Sequence, residues 1–250
     1  MIDHSIRDGV TTLQMQRDPA NVLDTEFADA IEVALREAVR DDETRAIVLT
    51  GVGSVFSAGV DLFRLVEAGE AYIADFLASL GRLFHTAQTS HKPLVAAVNG
   101  HAIAGGGILA LACDYRVMAA GSARIGLPEL KVGVPFPSSA LAIVKSRVPR
   151  RFHREIILLA RTFEPEAALV RGLIDEIAPP DEVLARSTAI ASELANVPVR
   201  SFSLTKRLLA LPAGADTSVL DEEVHATWTD PETREHIRRF LEKTLGKRER

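Results

Sequence analysis

The stretch Leu94-Val95-Ala96-Ala97-Val98-Asn99-Gly100-His101-Ala102-Ile103-Ala104-Gly105-Gly106-Gly107-Ile108-Leu109-Ala110-Leu111-Ala112-Cys113 decides the fold. Pro93 restarts the chain in an extended form, and five apolar residues without alternation then read as a strand buried on both faces. The second apolar run, Ile108 to Ala112, reads as a buried helix opened by the glycine triplet. Asn99, His101 and the glycines interrupt the stretch too often for a bilayer-spanning helix. A strand therefore hands over to a helix through a turn able to aim bare N–H groups at a ligand, a common place for chemistry.

The same handover occurs earlier. Ala46 to Thr50 reads as a buried strand, and Phe56-Ser57-Ala58-Gly59-Val60-Asp61 follows it as a second glycine-containing turn. Two such donors aimed at one point make an oxyanion hole.

Outward from these turns, Ile2 to Ile6 and Val10 to Met15 read as strands joined at Asp8-Gly9, residues that tolerate positive φ. Asp24 is placed to N-cap a helix whose apolar stripe runs Phe27, Ala30, Ile31, Ala34, Leu35 and Ala38, ending at Asp41-Asp42. Helical spacing returns over Leu62 to Val66 and over Tyr72 to Ala87. Tyr115 to Ala119 and Ala123 to Gly126 read as strands. The alternation predicts an α/β core. From Arg151 onward helices dominate: Phe152 to Ala160, Glu164 to Val170, Glu182 to Ala195, Ser203 to Leu211 and Thr217 to Lys243.

The 250 residues suffice for one continuous domain with a large core, read as a core over 1–195 and a helical region over 196–250. A net charge of −5 and a pI near 5.8 argue against nucleic acid or an anionic membrane as partner. The single Cys113 excludes an internal disulfide framework and reads as core filler, which favours a cytoplasmic location. The opening Met1-Ile2-Asp3-His4 predicts no signal or transit peptide. His85, His91, His101 and His153 lack metal-ligand spacing, so no metal is expected, and neither Ser57 nor Ser138 sits in a nucleophile elbow.

Taken together, the motifs resemble the crotonase superfamily, the enoyl-CoA hydratase/isomerase family. The resemblance is carried by Val48-Leu49-Thr50-Gly51, by Phe56 to Leu62, by Lys92 to Gly100, by Ala104-Gly105-Gly106-Gly107, by Cys113-Asp114, by Leu127-Pro128-Glu129 and by Ala167 to Asp175. It implies a spiral of repeated ββα units, then helices that join subunits into a homotrimer or a hexamer of paired trimers. It also implies an acyl-CoA thioester as ligand, with no cofactor beyond the coenzyme A of the substrate. By position in the motif, Val60 and Gly105 would supply the oxyanion N–H groups, with Ala58, Asp61, Leu62, Gly106 and Ile108 around the substrate. Preorganised donors matter because chemistry at the thioester Cα passes through an enolate.

The sequence departs from the hydratase pattern at one point. Hydratases of this family use two glutamates; one aligns with Glu129 and the other with Ile108, which cannot handle water. Glu129 lies among Leu127, Pro128, Leu130 and Val132, an apolar setting expected to raise its pKa and make it a better base. One carboxylate suffices for an allylic shift, so the pattern is similar to Δ3,Δ2-enoyl-CoA isomerases. Cys113-Asp114-Tyr115-Arg116 and Gly133-Val134-Pro135-Phe136-Pro137 lean the same way. Three alternatives stay open: a hydratase lacking the first glutamate, a noncatalytic acyl-CoA-binding member and an RNA-binding member. Asp114 is expected to be a structural hydrogen-bond partner, Asp61 a helix cap and His101 structural. Lys206 is similar in placement to a lysine near the nucleotide end of coenzyme A. Arg147 to Arg154 and Lys247-Arg248-Glu249-Arg250 read as solvated basic faces.

Overall fold

A computed structural model describes residues 1–211 and 216–245; the basic tail Lys247 to Arg250 lies outside the described residues. Its strands are β1 (Ile2–Arg7), β2 (Val10–Met15), β3 (Val22–Leu23), β4 (Ala46–Thr50), β5 (Val55–Ser57), β6 (Gly59–Val60), β7 (Leu94–Val98), β8 (His101–Ile103), β9 (Tyr115–Ala119), β10 (Ile125–Gly126), β11 (Thr162–Phe163) and β12 (Glu176–Ala178). The helices are α1 (Thr25–Arg40), α2 (Leu62–Glu67), α3 (Glu70–Thr89), α4 (Gly105–Ala112), α5 (Glu129–Val132), α6 (Ser138–Arg147), α7 (Pro165–Val170), α8 (Val183–Ala195), α9 (Val199–Leu209), α10 (Ser218–Thr229) and α11 (Pro231–Leu245).

The main sheet has the order β1-β2-β4-β7-β9-β12, and a second sheet runs β11-β10-β8-β5. Each turn of the chain lays one strand on the main sheet, a short strand on an inner sheet and then a helix. The turns are β4-β5-β6-α2-α3, β7-β8-α4 and β9-β10-α5-α6, preceded by β2-β3-α1. Within the main sheet β2, β4, β7, β9 and β12 pair in parallel, which requires such crossovers. This is the spiral that the resemblance implies.

Continuous apolar runs form the central strands because both sheet faces are covered. Ala46, Val48, Val95, Ala97, Val117 and Ala119 meet Val183, Ile190 and Ala191 of α8. Ile47, Leu49, Leu94, Ala96, Val98 and Met118 face the larger core with α1, α3 and α4. In the β1–β2 hairpin, Asp8 and Gly9 take φ of 53° and 79°, as the turn residues require. Asp24 caps α1, its Oδ1 accepting from Phe27 N–H at 2.9 Å.

Three helical readings and one strand change. Phe152 to Ala160 is a 3-10 turn over Arg150–Phe152 followed by a π-helical turn over Arg154–Leu158, ended where Ala160 takes a positive φ of 50°. Thr217 to Lys243 is two helices: Asp230 Oδ2 accepts from Glu232 N–H at 3.0 Å and Pro231 opens α11, so a new N-terminus starts there. The helix read over Ser203 to Leu211 begins earlier, at Val199 directly after Pro198. The strand read over Ala123 to Gly126 keeps only Ile125 and Gly126. No helix among the described residues is long and apolar enough to cross a membrane.

Candidate active site

The glycine triplet lets α4 touch three neighbours at once. A Cβ on Gly105 would lie 3.0 Å from Leu23 Cδ1 and 3.6 Å from Val60 Cγ2. On Gly106 it would lie 2.5 Å from Ser57 O, an impossible contact. On Gly107 it would lie 3.0 Å from Leu127 Cδ2 and 3.1 Å from Gly126 O. The helix start is thereby packed on the first turn through Val60 and Ser57 and on the strand leading to Glu129 through Gly126 and Leu127. Those are the three segments that carry the expected site.

Their amides are disposed as follows. Asp61 N–H donates to Leu23 O at 2.9 Å, and Val60 stands in parallel register with Leu23. Alternation along a parallel strand turns the Val60 N–H away from β3. On the other side, Ala104 N–H donates to Gly126 O at 2.9 Å and Ala104 O accepts the first intrahelical bond, from Ile108 N–H at 2.9 Å. Gly105 N–H therefore belongs to the open first turn of α4, where backbone donors have no intrahelical acceptor and the helix dipole favours negative charge. Ala104 holds φ 50° and ψ −122°, a left-handed conformation unusual for a residue with a Cβ, kept at the point where the chain swings into the helix.

Val60, Gly105 and Glu129 line one cavity of about 380 Å³. Ala58, Leu62 and Ile108 are also in its wall, and Ile108 is fully buried. Asp61 and Gly106 are not in that wall. Asp61 Oδ1 caps α2, accepting from Arg64 N–H at 3.1 Å, and Gly106 fits against Ser57. The remaining wall is apolar and comes chiefly from α3, with Phe76, Leu80 and Phe84, and from the Val134 to Pro137 loop. Sequence reading left these wall residues unassigned, although the helical stripe over Tyr72 to Ala87 signalled a buried face.

Among the described residues, Glu129 is the only ionisable side chain in the cavity wall. It opens the short helix α5, and its backbone carbonyl accepts from Gly133 N–H at 3.1 Å and Val134 N–H at 3.2 Å. Gly133 closes that turn with φ 89°. The carboxyl oxygen Oε2 is buried without a hydrogen-bond partner. Burial pushes the Glu129 carboxyl up to about 7, because the anion loses water in an apolar wall. A carboxyl with that affinity can take a proton and give it back near neutral pH.

Several sequence candidates are structural. Asp114 Oδ2 accepts from Leu94 N–H at 3.0 Å and from Lys206 Nζ at 2.9 Å, with Arg147 Nη2 3.5 Å from Oδ1. Lys206 is thus buried on Asp114 in the protein interior. His101 Nδ1 accepts from Arg124 N–H at 3.1 Å. Arg116, also buried, pairs with Asp175 at 2.7 Å. Burial raises the Cys113 thiol to about 12, so it is a core residue with no nucleophilic character. Among the described residues no group of three or more His, Cys, Asp or Glu side chains is placed to hold a metal ion.

Comparison with known proteins fits this geometry. Residues 5–247 match the enoyl-CoA hydratase/isomerase family, and the chain belongs to that family within the crotonase superfamily. It is 38% identical over 248 residues to a Thermus thermophilus protein named "Putative enoyl-CoA hydratase", covering 95% of this chain and 97% of that one. It is 29% identical over 242 residues to mitochondrial enoyl-CoA delta isomerase 1 of Rattus norvegicus, covering 96% of this chain and 83% of that one. The apo structure of an Mtb enoyl-CoA isomerase superposes with a TM-score of 0.78 at 34% identity, covering 83% of this chain and 90% of that one.

Proposed function

We propose that this enzyme moves the double bond of a 3-enoyl-CoA to the 2-position. The observation that carries the reading is the pairing of a lone carboxyl in the cavity wall, Glu129 with its buried Oε2, with Ile108 where a second carboxylate would be needed to handle water. Ionised Glu129 removes a proton from C2. The thioester oxygen takes up the negative charge against the N–H groups of Val60 and Gly105, and the dienolate persists long enough for Glu129 to deliver the same proton to C4. One proton leaves and one returns, so the reaction needs no cofactor beyond the coenzyme A of the substrate. Preorganised amides of this kind are typically worth about 10²- to 10³-fold each in rate.

Relatives carry both hydratase and delta isomerase names, so the test compares the two activities directly. Purified enzyme should develop the ultraviolet absorbance of a thioester-conjugated double bond when given a 3-enoyl-CoA, and should leave a 2-enoyl-CoA largely unhydrated. Hydration as the faster reaction would replace the isomerase reading with that of a hydratase working with one glutamate. Tight acyl-CoA binding without turnover would identify a binding protein instead.

The same reading gives the 196–250 region a role in assembly. Trp228 on α10 and Phe240 on α11 are 67% and 61% exposed, large apolar surfaces that association into a homotrimer or hexamer would cover. Light scattering of the purified chain reads this directly.

A further inference from the structure

The cavity also carries a scale. Helix α3 runs along it and presents a graded stripe: Ile73 and Leu77 are 38% and 45% exposed, whereas Phe76, Leu80 and Phe84 are buried. The open end is therefore near the start of α3 and the blind end near Phe84, where Ala140 of α6 completes the wall. Eleven residues separate Ile73 from Phe84, about 16 Å of helix at 1.5 Å per residue. An extended chain advances about 1.2 Å per bond, so that length holds roughly a dozen bonds.

Building on the acyl-CoA reading, we infer that the enzyme is selective for plain hydrocarbon acyl groups of about ten carbons, with Phe84 and Ala140 setting the limit. Apart from Glu129 no described residue of the wall carries a charge, and the described side chains there are almost entirely hydrocarbon. A hydroxyl or carboxyl group on the tail would lose its water without gaining a partner. Phe84 and Ala140 act on specificity through contact with the far end of the chain.

The test is calorimetric titration with saturated acyl-CoAs of four to sixteen carbons. These lack a double bond, so binding reads tail length whether or not the enzyme isomerises anything. Affinity should rise roughly fourfold per methylene, the usual gain for a buried CH2, and stop rising near ten carbons. Phe84→Leu should move the break to longer chains and Ala140→Leu to shorter ones, and circular dichroism should verify that both variants fold. A gain that continues evenly to sixteen carbons, or a break that neither folded variant moves, overturns the inference while leaving isomerase activity to its own assay. Failure to bind any acyl-CoA overturns both.

Discussion

Val60 and Gly105 stand side by side although 45 residues separate them: a Cβ added to Gly105 would touch Val60 Cγ2 at 3.6 Å. One residue ends a two-stranded ladder with Leu23, and the other begins a fully buried helix. Their closeness depends on the absence of side chains at the helix start. That dependence makes the proposed donor pair sensitive to changes that touch no substrate.

Gly106→Ala is the sharpest case. Its Cβ would fall 2.5 Å from Ser57 O, so α4 and the Phe56 to Val60 turn would have to separate by several tenths of an ångström or more. Turnover of 3-enoyl-CoA is expected to fall by about 10²-fold or more, the scale of losing one oxyanion donor. Steady-state kinetics on the folded variant check this.

The pH dependence follows from Glu129. Its base form dominates above about 7, so kcat/KM should rise through that pH and level off beyond it. The stability effect has the opposite sense. A carboxyl whose folded pKa lies above its unfolded value stabilises the fold fully below the unfolded pKa, near 4.5, and that contribution is lost as pH rises through about 7. Glu129→Gln should remove this loss, making the variant more stable than the parent above pH 7 by up to about 3 kcal/mol. Denaturant melts at pH 5 and pH 8 measure the difference.

Asp24 holds the first helix to the cover of the cavity. Its buried carboxylate caps α1, pairs with Arg17 and lies 2.7 Å from Arg64 of α2, which also binds Glu26 and stacks on the Tyr72 ring at 4.7 Å. Burial by itself would raise the Asp24 pKa; the hydrogen bonds from Arg17 and Phe27 N–H and the charges of Arg17 and Arg64 outweigh it and hold the group below its ordinary range. Asp24→Ala should cost about 2–4 kcal/mol through the lost cap and the uncompensated arginines. Urea unfolding gives the value. Because the folded pKa is depressed, the Asp24 contribution is present above pH 4 and fades as pH falls below it.

Asp114 is predicted to matter to stability alone. Asp114→Ala would leave Lys206 and Arg147 largely buried without their carboxylate and should destabilise by about 3–5 kcal/mol. Acyl-CoA affinity at a temperature where the variant is folded should stay within a factor of two of the parent. A large loss of affinity would place Lys206 on the ligand instead.

The fold was readable where burial alone dictates the local pattern. Ala46–Thr50, Leu94–Val98 and Tyr115–Ala119 are covered on both faces, so their apolar runs carry the signal unaided. The short strands were hidden for the opposite reason. Val22–Leu23, Gly59–Val60 and Thr162–Phe163 have two residues each, too few for any periodicity, and exist only because a neighbouring turn offers a ladder. Phe152 to Ala160 has helical spacing, but the chain must meet β11 beyond it, and it does so with a π-helical turn and a positive φ at Ala160. For the site, Glu129 and both glycine turns stood out by motif. The wall on α3 did not, because Phe76, Leu80 and Phe84 read the same whether a helix faces solid core or an empty cavity. Lys206 is similar in placement to a lysine near the nucleotide end of coenzyme A, and the Asp114 carboxylate beneath it is 92 residues away in the chain, a partner that local sequence does not reveal.

Everything catalytic rests on Glu129 carrying the proton. The decisive measurement is the rate of 3-enoyl-CoA conversion by the parent enzyme and by Glu129→Gln, followed by conjugation absorbance at pH 8 with acyl-CoA affinity measured on both. Glu129→Gln should lose at least about 10³-fold in rate with affinity nearly unchanged. Equal rates in the two proteins would contradict it.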